Sequence, residues 1–173
     1  MKLKSLIVVL LCIVVCSSCE QPPIEAYAVL PQPQEINYVQ GFVKLKDKPM
    51  VVYSNELSNE ALLLASYLKN DFAVEVTLEE GKDKGDVILL LDSTVLPDKK
   101  GGYVLEAAGS RITIKASTPE GVFNGVQTLR QIIKEREGRL TVQKALVTDY
   151  PAFSWRAFML DEGRYFRSEE RRV

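Results

Sequence analysis

Apolar positions change their period several times along this chain, and each change marks an element. Leu6 to Val15 is a continuous apolar run behind the basic Lys2 and Lys4. Over residues 20–35 no period survives, and Pro22, Pro23, Pro31 and Pro33 break the backbone pattern. That composition reads as an extended linker. Met50-Val51-Val52-Tyr53 is strand-like. Leu57, Ala61, Leu64, Ala65 and Leu68 then recur at helical spacing, with Ser58 as the N-cap and Glu60 in the first turn. Phe72 to Val76 predicts a strand, residues 81–85 a charged turn, and Asp86 to Leu91 a strand buried on both faces.

Two further patterns are sharper. Gly102 to Glu106 and Arg111 to Lys115 flank Ala108-Gly109-Ser110, which predicts a hairpin. In its second run apolar and polar residues alternate, so one face is buried. Thr118 then stands as an N-cap with Pro119 at the first helical position and Glu120 beside the positive helix end. Val122, Val126, Leu129 and Ile133 form one stripe at i, i+4, i+7 and i+11. Gly125 interrupts this helix at a cost of about 1 kcal/mol relative to Ala, which a close backbone approach would explain. Gly138 ends the region, and Leu140 to Val147 reads as another strand.

Residues 36–148 are therefore expected to be one α+β domain, a mostly antiparallel sheet with two helices on one face. Pro151 drives Tyr150 away from helix and marks a boundary. Ala157 to Leu160 is a short apolar strand ending at Asp161, and Ser168, Glu169 and Glu170 open a helix. One strand and one turn bury no core of their own, so residues 149–173 are expected to be the start of a second, truncated unit.

Composition narrows the chemistry. Of 173 residues, 22 are Lys or Arg and 23 are Asp or Glu, a balance that points to no nucleic-acid partner. With no histidine at all, His-based acid–base catalysis and His metal sites are excluded within the chain. The three cysteines, Cys12, Cys16 and Cys19, all fall in the first 19 residues. The basic start, the apolar run and Ser17-Ser18 make residues 1–18 an export signal too short to span a bilayer. A plain secretory signal cut near Ser18 is one reading. The favoured one is a lipoprotein signal in which Cys19 carries the lipid, followed by a tether over 19–35, because small residues precede it and a polar, Pro-containing stretch follows. No disulfide is then available to the mature domain, which rests on its apolar core.

Two blocks carry a resemblance. The hairpin just described, followed by Gly121-Val122-Phe123-Asn124-Gly125-Val126-Gln127-Thr128-Leu129-Arg130-Gln131, resembles the non-catalytic N-terminal domain of family 20 glycoside hydrolases, the β-N-acetylhexosaminidases. Asp149-Tyr150-Pro151-Ala152-Phe153-Ser154-Trp155-Arg156-Ala157-Phe158-Met159-Leu160-Asp161 with Gly163-Arg164-Tyr165-Phe166 is similar to the start of that family's (β/α)8 catalytic barrel. The resemblance implies an enzyme that removes terminal N-acetylglucosamine or N-acetylgalactosamine from glycans. Its mechanism is retaining and substrate-assisted, without a cofactor. The family's adjacent Asp-Glu pair has no counterpart here, and Asp161-Glu162 matches the first barrel strand instead. This leaves no catalytic residue in these 173. Arg164 matches the family arginine that binds hydroxyls of the terminal sugar, and Asp161 is placed to orient it.

Other readings fit parts of the same sequence. One is a different glycosidase with a similar N-terminal domain, although the order R-x-x-x-L-D-x-x-R-Y-F from Arg156 favours family 20. Another is a lipid-anchored glycan-binding or scaffold protein without catalysis.

Overall fold

A computed structural model describes residues 23–81, 84–153, 155 and 157. The export signal 1–18, Cys19, most of the expected barrel strand and the turn at Ser168 lie outside these residues.

The described residues fold as an eight-stranded sheet with two helices. In chain order these are β1 (Glu35–Lys44), β2 (Met50–Tyr53), α1 (Ser58–Phe72), β3 (Thr77–Glu80), β4 (Val87–Leu91), β5 (Tyr103–Ala108), β6 (Arg111–Ala116), α2 (Pro119–Ile132), β7 (Lys134–Arg136) and β8 (Arg139–Asp149). The sheet order is β1-β8-β5-β6-β4-β2-β3, and β7 pairs with the first residues of β8. Parallel pairs join β3 to β2, β2 to β4 and β4 to β6. The remaining four pairings are antiparallel, so the sheet is mixed with an antiparallel majority.

Both helices lie on one face. Leu57, Ala61, Leu64 and Leu68 from the first helical region are buried, as are Val122, Val126 and Leu129 of α2. They meet Val87, Leu89, Leu105, Ile112, Ile114 and Val147 from the sheet in a single core. The helices also touch each other through Tyr67 and Gln127, whose amide donates to the phenol oxygen at 3.1 Å. Beside them Arg130 Nε donates to Asp71 at 2.7 Å.

Local chemistry explains the elements. Thr118 caps α2 by accepting from the Gly121 amide at 3.3 Å, and Pro119 occupies the first turn where its missing N–H costs nothing. The β5–β6 pairing closes with Ala108 opposite Arg111, which leaves a two-residue turn. Glu137 and Gly138 sit at φ 53° and 72°, the pair of positive values that a type I′ hairpin turn requires. Gly125 answers the cost noted above. A Cβ there would lie 2.5 Å from Ile114 Cγ2 and 3.1 Å from Tyr103 Cδ2, so only glycine lets α2 sit this deep.

Several boundaries differ from the sequence reading. The strand expected at Phe72 to Val76 begins later, at Thr77. The helix runs on to Phe72, and Ala73 then turns left-handed at φ 56°. The amides of Ala73 and Val74 close back on Lys69 and Leu68 carbonyls, so they are unavailable to a sheet. Ser58 is the first helical residue rather than the cap, because a 3-10 turn over Asn55–Leu57 precedes it. Two strands were not expected, β1 and β7. Both are short of buried residues, and the register of β1 shifts between Tyr38 and Phe42, where Gly41 has φ 92°. That irregularity breaks the period-2 signal.

The largest departure is the linker. From Glu25 to Gln34 it has no regular structure but is fastened along the domain. Tyr27 packs edge-on against Tyr38 with ring centroids 5.2 Å apart, and Val29 is buried.

Replacing Gly125 with Ala should lower stability by about 1–2 kcal/mol. The clash against Ile114 outweighs the gain in helix propensity. Urea unfolding of residues 24–153 measures it, and a stabilised variant would refute the packing argument.

Candidate functional site

The main cavity is an open cleft of about 750 Å³ at the end of the sheet where β5 begins and β8 ends. The linker segment, the loop before β5, the exposed side of α2 and the chain beyond β8 all contribute to its walls.

Register builds its floor. Tyr103 pairs with Asp149 across β5 and β8. The Tyr103 phenol is buried, and its hydroxyl donates to Asp149 Oδ2 at 3.3 Å. A hydroxyl has one proton, so the 2.6 Å contact with Thr128 Oγ1 is then a donation from threonine to the phenol oxygen. The second carboxylate oxygen, Oδ1, accepts the Gln34 amide at 3.2 Å. Asp149 therefore ties together the strand it ends, the strand beside it and the incoming segment.

The sides are fixed the same way. Asn124 Nδ2 donates to the Gly101 carbonyl at 2.8 Å and holds the loop before β5. Gln131 holds Leu30 from both sides, accepting its amide at 3.0 Å and donating to its carbonyl at 3.3 Å. Lys99 lies over the Tyr150 ring at 4.5 Å. At the open mouth Phe153 is 71% exposed.

Burial pushes the Tyr103 phenol well above its ordinary 10.0, and the nearby Asp149 charge pushes the same way against the Thr128 hydrogen bond. Tyr27 is raised for the same first reason, burial, with Tyr38 adding to it. Among the described residues no group of three His, Cys, Asp or Glu side chains is arranged to hold a metal ion. No described helix is long and apolar enough to cross a membrane.

Five residues of the helix motif that carried the resemblance have clear structural jobs. Gly125 admits the sheet, Gln127 bonds Tyr67, Thr128 bonds Tyr103, Leu129 fills the core and Gln131 clamps Leu30. Its polar members hold backbone and neighbouring side chains in place. Sequence reasoning missed the Tyr103–Thr128–Asp149 group, because only the β5–β8 register brings those residues together. Arg164 and Asp161, the expected sugar-binding residues, and Cys19, the expected lipidation site, lie outside the described residues.

Fold and cleft together define an α+β domain in which the incoming segment and the last strand are both fastened at Asp149. Residues 26–150 match the family model described as glycosyl hydrolase family 20, domain 2. A β-hexosaminidase of Porphyromonas gingivalis is 32% identical over 151 residues, covering 82% of this chain and 19% of its own length. A β-N-acetylhexosaminidase structure from Bacteroides fragilis aligns with TM-score 0.64 and 26% identity, over 81% of this chain and 28% of that one. A family 20 exo-β-N-acetylglucosaminidase from Vibrio harveyi shares the fold at TM-score 0.67 and 22% identity, over 88% and 24%. The chain belongs to glycosyl hydrolase family 20. It spans about a fifth of the length of the Porphyromonas relative.

Replacing Tyr103 with Phe removes the donor to Asp149 and the acceptor for Thr128, and should cost about 1–2 kcal/mol at pH 7. The raised phenols add a pH dependence. Below their ordinary 10.0 both folded and unfolded phenols are protonated and the stabilisation is complete. Above it the unfolded chain ionises first, so stability falls as pH rises. Unfolding midpoints from pH 7 to 11 should decline less steeply in the Tyr103→Phe variant; an identical decline would remove Tyr103 from that linkage.

Proposed function

We propose that this chain is the N-terminal, non-catalytic part of an exported β-N-acetylhexosaminidase, held to the cell envelope through a lipid on Cys19. The whole enzyme removes terminal N-acetylglucosamine or N-acetylgalactosamine from glycans. The observation that carries this reading is the 151-residue similarity to the Porphyromonas gingivalis β-hexosaminidase within a family 20 match over 26–150. Supporting it, the sequence runs straight from the Asp149 cleft into Trp155-Arg156 and the Leu160-Asp161 and Arg164-Tyr165-Phe166 positions that resemble the first barrel strand. Barrel active sites gather at the C-terminal ends of strands, where the motif resemblance puts Asp161 and Arg164.

In this reading the substrate's acetamido oxygen attacks the anomeric carbon, and a downstream Asp-Glu pair orients it and protonates the leaving oxygen. Arg164 contributes a planar guanidinium fork to neighbouring sugar hydroxyls, and Asp161 orients that fork. The domain over 26–150 supports the barrel by fixing the backbone at Asp149.

Two measurements test the assignment. Purified residues 20–173 should not turn over a chromogenic N-acetyl-β-glucosaminide that the full-length enzyme hydrolyses; turnover by the shorter chain refutes the division of labour. Arg164→Ala in the full-length enzyme should lower kcat/KM roughly ten- to a hundredfold, the loss of a charge-assisted hydrogen bond or two. Unchanged kcat/KM removes Arg164 from the sugar site.

A further inference from the structure

The segment expected as a tether is mostly a strap. Glu25 is ion-paired with Lys134 and Arg136 of β7, and its amide donates to Gln143 Oε1 at 3.1 Å. The Tyr27 hydroxyl donates to the Gln143 carbonyl, and the Tyr27 amide donates to Tyr38 Oη at 2.7 Å. Gln131 then holds Leu30, and Asp149 accepts from Gln34. Each end of the strap is thus fastened to a different part of the same strand, Gln143 at entry and Asp149 at exit. Six residues of antiparallel strand separate them, about 20 Å.

Only residues 20–24 lie between Cys19 and Glu25. Fully stretched, the six Cα-to-Cα steps that join them reach at most about 20 Å. A lipid on Cys19 would therefore keep the entry end of the sheet close to the bilayer. Lys44, Lys134, Arg136, Arg139 and Lys144 occupy strand positions toward that end. Lys134 and Arg136 are paired with Glu25, whereas Lys44 and Arg139 are exposed. These five cations outnumber the three acids at the same end, Glu25, Glu135 and Glu137, and an excess of positive charge suits a surface of anionic headgroups.

We propose that the strap makes this domain a rigid stand on the membrane. The β7 hairpin end lies against an anionic lipid surface, and the Asp149–Phe153 cleft faces away from it. This rests on the lipid-anchor reading of Cys19 above, and adds to it a fixed orientation and a short stand-off. A flexible tether over 19–35 would give neither.

The test uses the full-length acylated protein in vesicles of phosphatidylethanolamine and phosphatidylglycerol that carry an energy acceptor on their headgroups. Residues 20–173 contain no cysteine, so a single donor dye can be placed there by Glu135→Cys at the β7 end or by Ser93→Cys near the exit end. Mass spectrometry of the N-terminal peptide reports the acyl chain in the same sample. The expected result is acylated Cys19 with severalfold more energy transfer from position 135 than from position 93. In a Glu25→Ala/Tyr27→Ala background, which unfastens the entry of the strap, that ratio should fall toward one. Equal transfer from both positions in acylated protein overturns the inference and leaves the anchor standing. A ratio that ignores the strap substitutions also overturns it. An unacylated Cys19 overturns the anchor and the inference together.

Discussion

The close seating of α2 on the β5–β6 hairpin is the constraint on which the rest of this domain depends. Gly125 allows it, because any side chain there would run into Ile114 and Tyr103. Once α2 lies this deep, Thr128 reaches the Tyr103 hydroxyl at 2.6 Å, and Tyr103 in turn reaches Asp149. From the same helix, Gln131 reaches the incoming segment at Leu30 and Asn124 reaches the loop at Gly101. One packing distance thus sets where the chain enters and where it leaves. The helix gives up about 1 kcal/mol of propensity at a glycine and gains a close-packed contact that larger residues forbid.

Asp149 is the point where strap, β5 and β8 meet. Its carboxylate accepts from a side chain on β5 and a backbone amide of the strap, so the last residue of β8 cannot swing. The sequence after it resembles the first strand of a catalytic barrel. In the proposed reading that fixed end of β8 is the domain's contribution to the whole enzyme, since displacements of an ångström at a site carry large rate penalties.

Legibility in the sequence followed the range of the interaction. The α2 stripe, its Thr118-Pro119 start and the hairpin around Gly109 depend on neighbours within a turn or two, and all three stood out. The family motif from Gly121 to Gln131 was visible as a pattern, yet the jobs of its polar members were not. Thr128 meets Tyr103 from 25 residues away and Asp149 meets it from 46, and no local period reports such pairs. β1 was hidden by Gly41 and by polar residues suited to an edge. The linker misled for a physical reason. Proline-rich composition removes helix and sheet, but it does not prevent Tyr27 and Val29 from docking one side chain at a time. Arg164, Asp161 and Cys19 stand on motif and chain order.

Amide hydrogen exchange within the strap tests most directly whether one fold governs both entry and exit. Protection is expected at Glu25, Tyr27 and Leu30, whose amides donate to Gln143, Tyr38 and Gln131. Their protection should fall together with that of α2 when Gly125 is replaced. Exchange at random-coil rates over residues 25–34 in an otherwise protected domain would contradict it.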